Sequence, residues 1–120
     1  MVLADTSVWI QHFRGEQYDL AHYLSEGLIV MHPFVKDELA CGTLRNRAKI
    51  LAYFHALPQA TPVSGAEALG LIEDRRLWGR GLGLIDVHLL ASALISGCGF
   101  WTLDARLALA ANDLGVSWTP

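Results

Sequence analysis

Four acidic residues stand where chemistry on a charged substrate could be done. Asp5 follows the apolar run "VLA" and Asp104 follows "FWTL". Asp86 opens the apolar stretch "GLIDVHLL", and Glu38 sits within "FVKDELACG". If these carboxylates converge on one crevice, two of them about 5 Å apart repel by roughly 3 kcal/mol at an effective dielectric near 20. Such a cluster requires protons or a divalent cation. Oxygen donors without histidine or thiolate favour Mg²⁺ or Mn²⁺, and Mg²⁺ keeps several waters, which suits work on phosphates. One ion can activate a water, and two can clamp both oxygens of an in-line phosphodiester displacement.

Each acid also has a plainer reading. Asp5, with Thr6 and Ser7 behind it, is a good helix N-cap, and so is Asp104 ahead of "ARLALA". Glu38 and its neighbour Asp37 fit a solvated helix face. Asp86 is harder to explain away. The helix dipole favours an acid in a first turn, but burying it alone among apolar neighbours is costly.

These residues need a frame that brings them together. The chain has 120 residues, the length of one domain. Residues 2–4, 28–32 and 99–103 read as strands, 59–62 as a weak strand or connector, and 116–118 as a last strand. Helical periodicity covers 7–14, 18–26, 33–41, 45–57, 64–78, 84–96 and 104–111. Ser64 and Glu67 have the spacing of a capping box, and residues 84–96 are apolar nearly all round, as in a buried helix. Alternating strands and helices predict a parallel sheet covered on both faces. In such sheets ligands sit beyond the carboxyl ends of the strands, which is where Asp5 and Asp104 fall.

Composition narrows the alternatives. The chain is 52% apolar and 18% charged, with a net charge of −3. Disorder is excluded by that balance, and no polyanionic partner is indicated by net charge alone. Cys41 and Cys98 form no CxxC pair and read as packing thiols. The N-terminus lacks the flanks of a signal peptide, and the longest apolar-rich run, residues 82–103, is too polar for a membrane span. A soluble, cytoplasmic protein is expected. The glycine run "GRGLG" follows a helical segment rather than a strand, so it is not a dinucleotide fingerprint. A phosphoacceptor receiver would need a late lysine, and the only lysines are Lys36 and Lys49.

The blocks "VLADTSVWI", "FVKDELACG", "GLGLIDVHLLASAL" and "FWTLDARL" span nearly the whole chain. In this order they resemble the PIN-domain ribonucleases, and among them the VapC toxins of bacterial toxin–antitoxin pairs. The resemblance implies a single domain over residues 1–120 with a three-layer α/β/α fold and a parallel sheet of about five strands. It implies a Mg²⁺- or Mn²⁺-dependent endoribonuclease acting on structured RNA. Asp5, Glu38, Asp86 and Asp104 would be the catalytic and metal-binding acids, with Thr6 or Ser7 in support. It further implies a homodimer silenced by a VapB-type antitoxin. A PIN-fold module that binds a partner without cutting is the alternative.

Basic residues gather at Arg45, Arg47 and Lys49 and again at Arg75, Arg76 and Arg80. Either group fits a solvated helix face or a phosphate-contacting rim. Arg80, in the glycine loop near Asp86, is the best single candidate for RNA contact, with Arg75 and Arg76 beside it. Arg45 and Arg47 could instead meet a protein partner. Trp9, Trp78, Trp101 and Trp118 read as core or dimer packing before base stacking. His12, His22, His32 and His55 lack ligand spacing, and His88 is assigned no role.

Overall fold

The computed structural model describes residues 1–17 and 19–120. Strand β1 (Val2–Ala4) lies at the centre of a parallel sheet, with β2 (Ile29–Val30) on one side and β3 (Gly99–Trp101) on the other. Val2 pairs with Ile29 and Gly99, and Leu3 pairs with Val30 and Phe100. Successive strand residues point to opposite faces, and all three residues of β1 are buried. Both faces of the sheet are therefore covered, the condition of parallel sheets in α/β folds.

The sheet is shorter than the five strands expected. The segment around Gln59 meets Met31 at a single pair, and Ser117 meets Phe100 at another. Pro58 and Pro62 flank the first of these segments. Neither can donate to a ladder, so the edge does not extend into a strand. The last segment leaves Gly115 at a φ of 74° and ends in Pro120 after one paired residue.

The helices are α1 (Thr6–Phe13), α2 (Asp19–Ser25), α3 (Pro33–Cys41), α4 (Arg47–Ala56), α5 (Gly65–Arg75), α6 (Leu84–Ser96) and α7 (Ala105–Asp113). The expected start of the second helix, Tyr18, lies outside the described residues. Helix α1 packs on α2 and α3, α3 on α4, and α5 on α6. Residues Val87–Ala93 of α6 are buried without interruption, as its all-round apolar character predicts. Helix α5 carries the expected Ser64–Glu67 capping box. It stops earlier than residue 78 because Arg76 turns left-handed at a φ of 53° and the Leu77 N–H returns to the Ile72 carbonyl. Pro33 opens α3 behind His32, whose Nδ1 accepts from the Phe34 N–H at 2.9 Å. Burial and the nearby His88 hold the His32 imidazole down to a pKa of about 4, which keeps it neutral and able to accept. No helix among the described residues is long and apolar enough to cross a membrane.

Chain order and sheet order diverge at β1: one crossover leads to β2 and a later one returns to β3 on the opposite side. In open parallel sheets such a reversal marks the ligand position, beyond the carboxyl end of β1.

Candidate active site

Asp5 stands at that position, directly after β1. It is only 7% exposed and is held from three directions. Its Oδ1 accepts from the Thr6 N–H at 2.8 Å, and its Oδ2 accepts from the hydroxyls of Ser7 and Thr102, each at 2.8 Å. Asp5 is thus the N-cap of α1 and also a carboxylate fixed at the sheet's edge.

Glu38 is exposed on α3, yet its carboxylate does not simply face water. The Thr6 hydroxyl donates to Glu38 Oε1 at 2.8 Å, across the packed α1–α3 pair. Its neighbour Asp37 stays at the surface, 3.9 Å from Lys36. Asp104 caps α7, its Oδ1 accepting from the N–H groups of Arg106 at 2.9 Å and Leu107 at 3.2 Å.

Asp86 is half-buried in the first turn of α6 and accepts from the Gly83 N–H at 2.8 Å. Burial pushes its pKa above the usual aspartate range, the Gly83 hydrogen bond opposes that, and the charges of Asp5 and Asp104 raise it further. Three of the predicted acids therefore share one electrostatic neighbourhood, although they come from the two ends of the chain. Glu38 joins them through Thr6, next to Asp5.

Thr102 is a member of this network that the sequence reading does not single out. Its hydroxyl donates to Asp5 and accepts from the Asp104 N–H at 3.1 Å. Ser7 does the same on the other side, accepting from the Leu103 N–H at 3.1 Å. Two hydroxyls thereby tie the start of α1 to the β3–α7 loop. The only sequence trace of this is a threonine placed between a strand and an acid. Thr102→Val removes a donor to a buried carboxylate, and the expected cost is about 1–3 kcal/mol. Urea unfolding checks this, and Thr102→Ser is expected to recover most of the loss.

The basic residues divide differently. Arg75 and Arg76 are exposed. Arg80 is paired with Asp113 at 2.8 Å. Arg47 caps the C-terminus of α3, bonding the carbonyls of Ala40 at 2.7 Å and Gly42 at 3.3 Å. Trp9 and Trp101 are buried, as expected, whereas Trp78 is 58% exposed.

The sequence matches the PIN domain family over residues 2–113. The chain belongs to the PIN domain family. Among curated proteins it is similar to Ribonuclease VapC32 of Mycobacterium tuberculosis, from strains CDC 1551 / Oshkosh and ATCC 25618 / H37Rv. Identity to each is 43% over 118 residues, covering 98% of this chain and 95% of the relative. The family match spans every acid described above.

The donor set of this PIN domain is all oxygen. Among the described residues no three acidic, histidine or cysteine side chains are close enough to enclose an ion between them. An all-oxygen set of this kind fits a hard cation that is held by one or two carboxylates and keeps its waters.

Proposed function

We propose that this PIN domain is a Mg²⁺- or Mn²⁺-dependent endoribonuclease, the toxin of a type II toxin–antitoxin pair, hydrolysing phosphodiester bonds of structured RNA. The observation that carries the reading is the gathering of acids at the sheet's switch point, where Thr102 bridges Asp5 to Asp104 and Thr6 bridges Asp5 to Glu38, in a chain 43% identical to Ribonuclease VapC32. A cluster of acids repels an RNA phosphate unless positive charge intervenes. A bound divalent cation supplies that charge, together with Lewis-acid activation of water. One or two of Asp5, Asp86 and Asp104 would hold the ion directly and the others through its waters, with Glu38 beside them. Thr6 aims Glu38, while Ser7 and Thr102 keep Asp5 from turning away. Exposed Arg75 and Arg76 offer charge to flanking phosphates.

The partner reading rests on a hollow of about 350 Å³ lined by Ile10, Phe13, Arg14, Leu39 and Leu44, with Glu38 at its rim. A second hollow shares Phe13 and Leu44 and adds Arg45. An apolar segment with acidic residues, supplied by a VapB-type antitoxin, would fill this groove and end over the acids. A homodimer would cover apolar side chains left exposed on α5 and α6, such as Leu69 and Ile95.

Incubation of purified protein with total cellular RNA, in Mg²⁺, Mn²⁺ or EDTA, tests the reading. Discrete fragments are expected with either ion and none with EDTA. Fragments that persist in EDTA, or that are lost on further purification, would leave the non-cutting binding module as the better account.

A further inference from the structure

Arg80 lies in the loop before α6, yet its guanidinium is drawn to Asp113 at the far end of α7. A second contact runs the opposite way. Arg106, in the first turn of α7, lays its guanidinium over Gly81. A Cβ built on Gly81 would stand 2.7 Å from Arg106 Nη1 and 3.0 Å from its Cδ, and Gly81 has a φ of 77°. Arg106 and Asp113 are seven positions apart on α7. Two helical turns put them on the same face, about 10 Å from each other. The glycine loop therefore lies along one face of α7 and is held at two points.

What hangs from each side gives the arrangement its meaning. The loop ends at Gly83, whose N–H fixes the Asp86 carboxylate. Helix α7 begins at Asp104. Helix α6 packs on α5 and on β3, the strand that leads into α7, and the loop adds a second, direct link between these two acids.

We propose that Arg80–Asp113 and Arg106–Gly81 form a latch that sets the separation of Asp86 and Asp104, making Arg80 a positioning residue. This rests on the ribonuclease reading for its consequence and on observed contacts for its existence. Arg80 acts through Asp113, and the charges left for RNA on this side are Arg75 and Arg76.

The test uses Arg80→Ala, Asp113→Ala, the double variant, and the charge-swapped pair Arg80→Asp/Asp113→Arg in the full-length protein. Hydrogen exchange of residues 79–86, kcat for RNA cleavage, and RNA affinity in EDTA are measured for each. Each single variant is expected to speed exchange and lower kcat by about three- to ten-fold, short of the roughly 10²-fold that 1 Å of misplacement can bring. RNA affinity is expected to stay within about two-fold of wild type, since no phosphate contact is removed. The double variant is expected to be no worse than either single one, and the swapped pair to recover most of both losses. Unchanged exchange in the single variants overturns the latch. So does weakened RNA binding in Arg80→Ala with full kcat in Asp113→Ala, which would make Arg80 a phosphate contact. If the wild type cuts no RNA, the ribonuclease reading falls, and hydrogen exchange still decides whether the latch exists.

Discussion

Asp5→Ala is expected to lose RNA cleavage by about 10³-fold or more, the effect of removing several kcal/mol of transition-state stabilisation. The same change is expected to destabilise the protein by about 1–3 kcal/mol, because it strands buried donors. The hydroxyls of Ser7 and Thr102 lose their common acceptor, and α1 loses its cap at Thr6. Asp5→Asn separates the two effects. Its single amide oxygen can accept from the Thr6 N–H or from the two hydroxyls but not from both, so urea unfolding is expected to show only part of the stability restored. Its missing charge leaves cleavage as low as in Asp5→Ala. Removing that charge also takes away one cause of the raised Asp86 pKa, so Asp86 is expected to titrate closer to the ordinary aspartate range, as carboxyl NMR would record. Wild-type cleavage by Asp5→Asn would reduce Asp5 to a helix cap.

Much of this site was legible because each acid sits beside a punctuation mark in the chain. Asp5 and Asp104 follow short apolar runs and precede helices, and Asp86 follows a glycine loop. The buried helix around Val87–Ala93 declared itself by having no polar face. What escaped was relational. Thr102 matters because one hydroxyl meets Asp5 and the Asp104 backbone together, and a lone threonine in sequence carries no sign of that. The ion pair of Arg80 with Asp113 is likewise hidden in the sequence, since only the packing of the loop along α7 brings the two together. Helix α5 ended early at Arg76, a left-handed stop at a residue that seldom provides one. The missing outer strands show the same limit. Residues 59–62, read as a weak strand or connector, and 116–118, read as a last strand, each meet the sheet at one pair, and Pro58 and Pro62 flank the first of them.

Asp86→Asn is expected to abolish cleavage while making the metal-free protein more stable at neutral pH. The sign follows from the direction of its shift. Below the ordinary aspartate range Asp86 is protonated in both native and unfolded chains and costs nothing. As pH rises, the unfolded chain releases its proton first, because burial, Asp5 and Asp104 hold the native pKa up. The native state then binds more protons than the unfolded one, and stability falls with pH until Asp86 ionises. Asparagine matches the side chain's shape, can still accept from Gly83 through Oδ1, and carries no charge to be repelled. The gain is expected to be under about 1 kcal/mol, since Asp86 is partly exposed and solvent screens its neighbours. Thermal unfolding in EDTA should show the variant's advantage growing from about pH 4 upward and levelling once Asp86 of the native wild type has ionised. Added Mn²⁺ should reverse the order, because an ion that binds only the native wild type stabilises it by mass action. An Asp86→Asn protein less stable than wild type in EDTA, with the same response to Mn²⁺, would mean that the acids do not repel one another and that no ion is held between them. A stability deficit that only the cation removes is the mark of a carboxylate kept for binding rather than for folding.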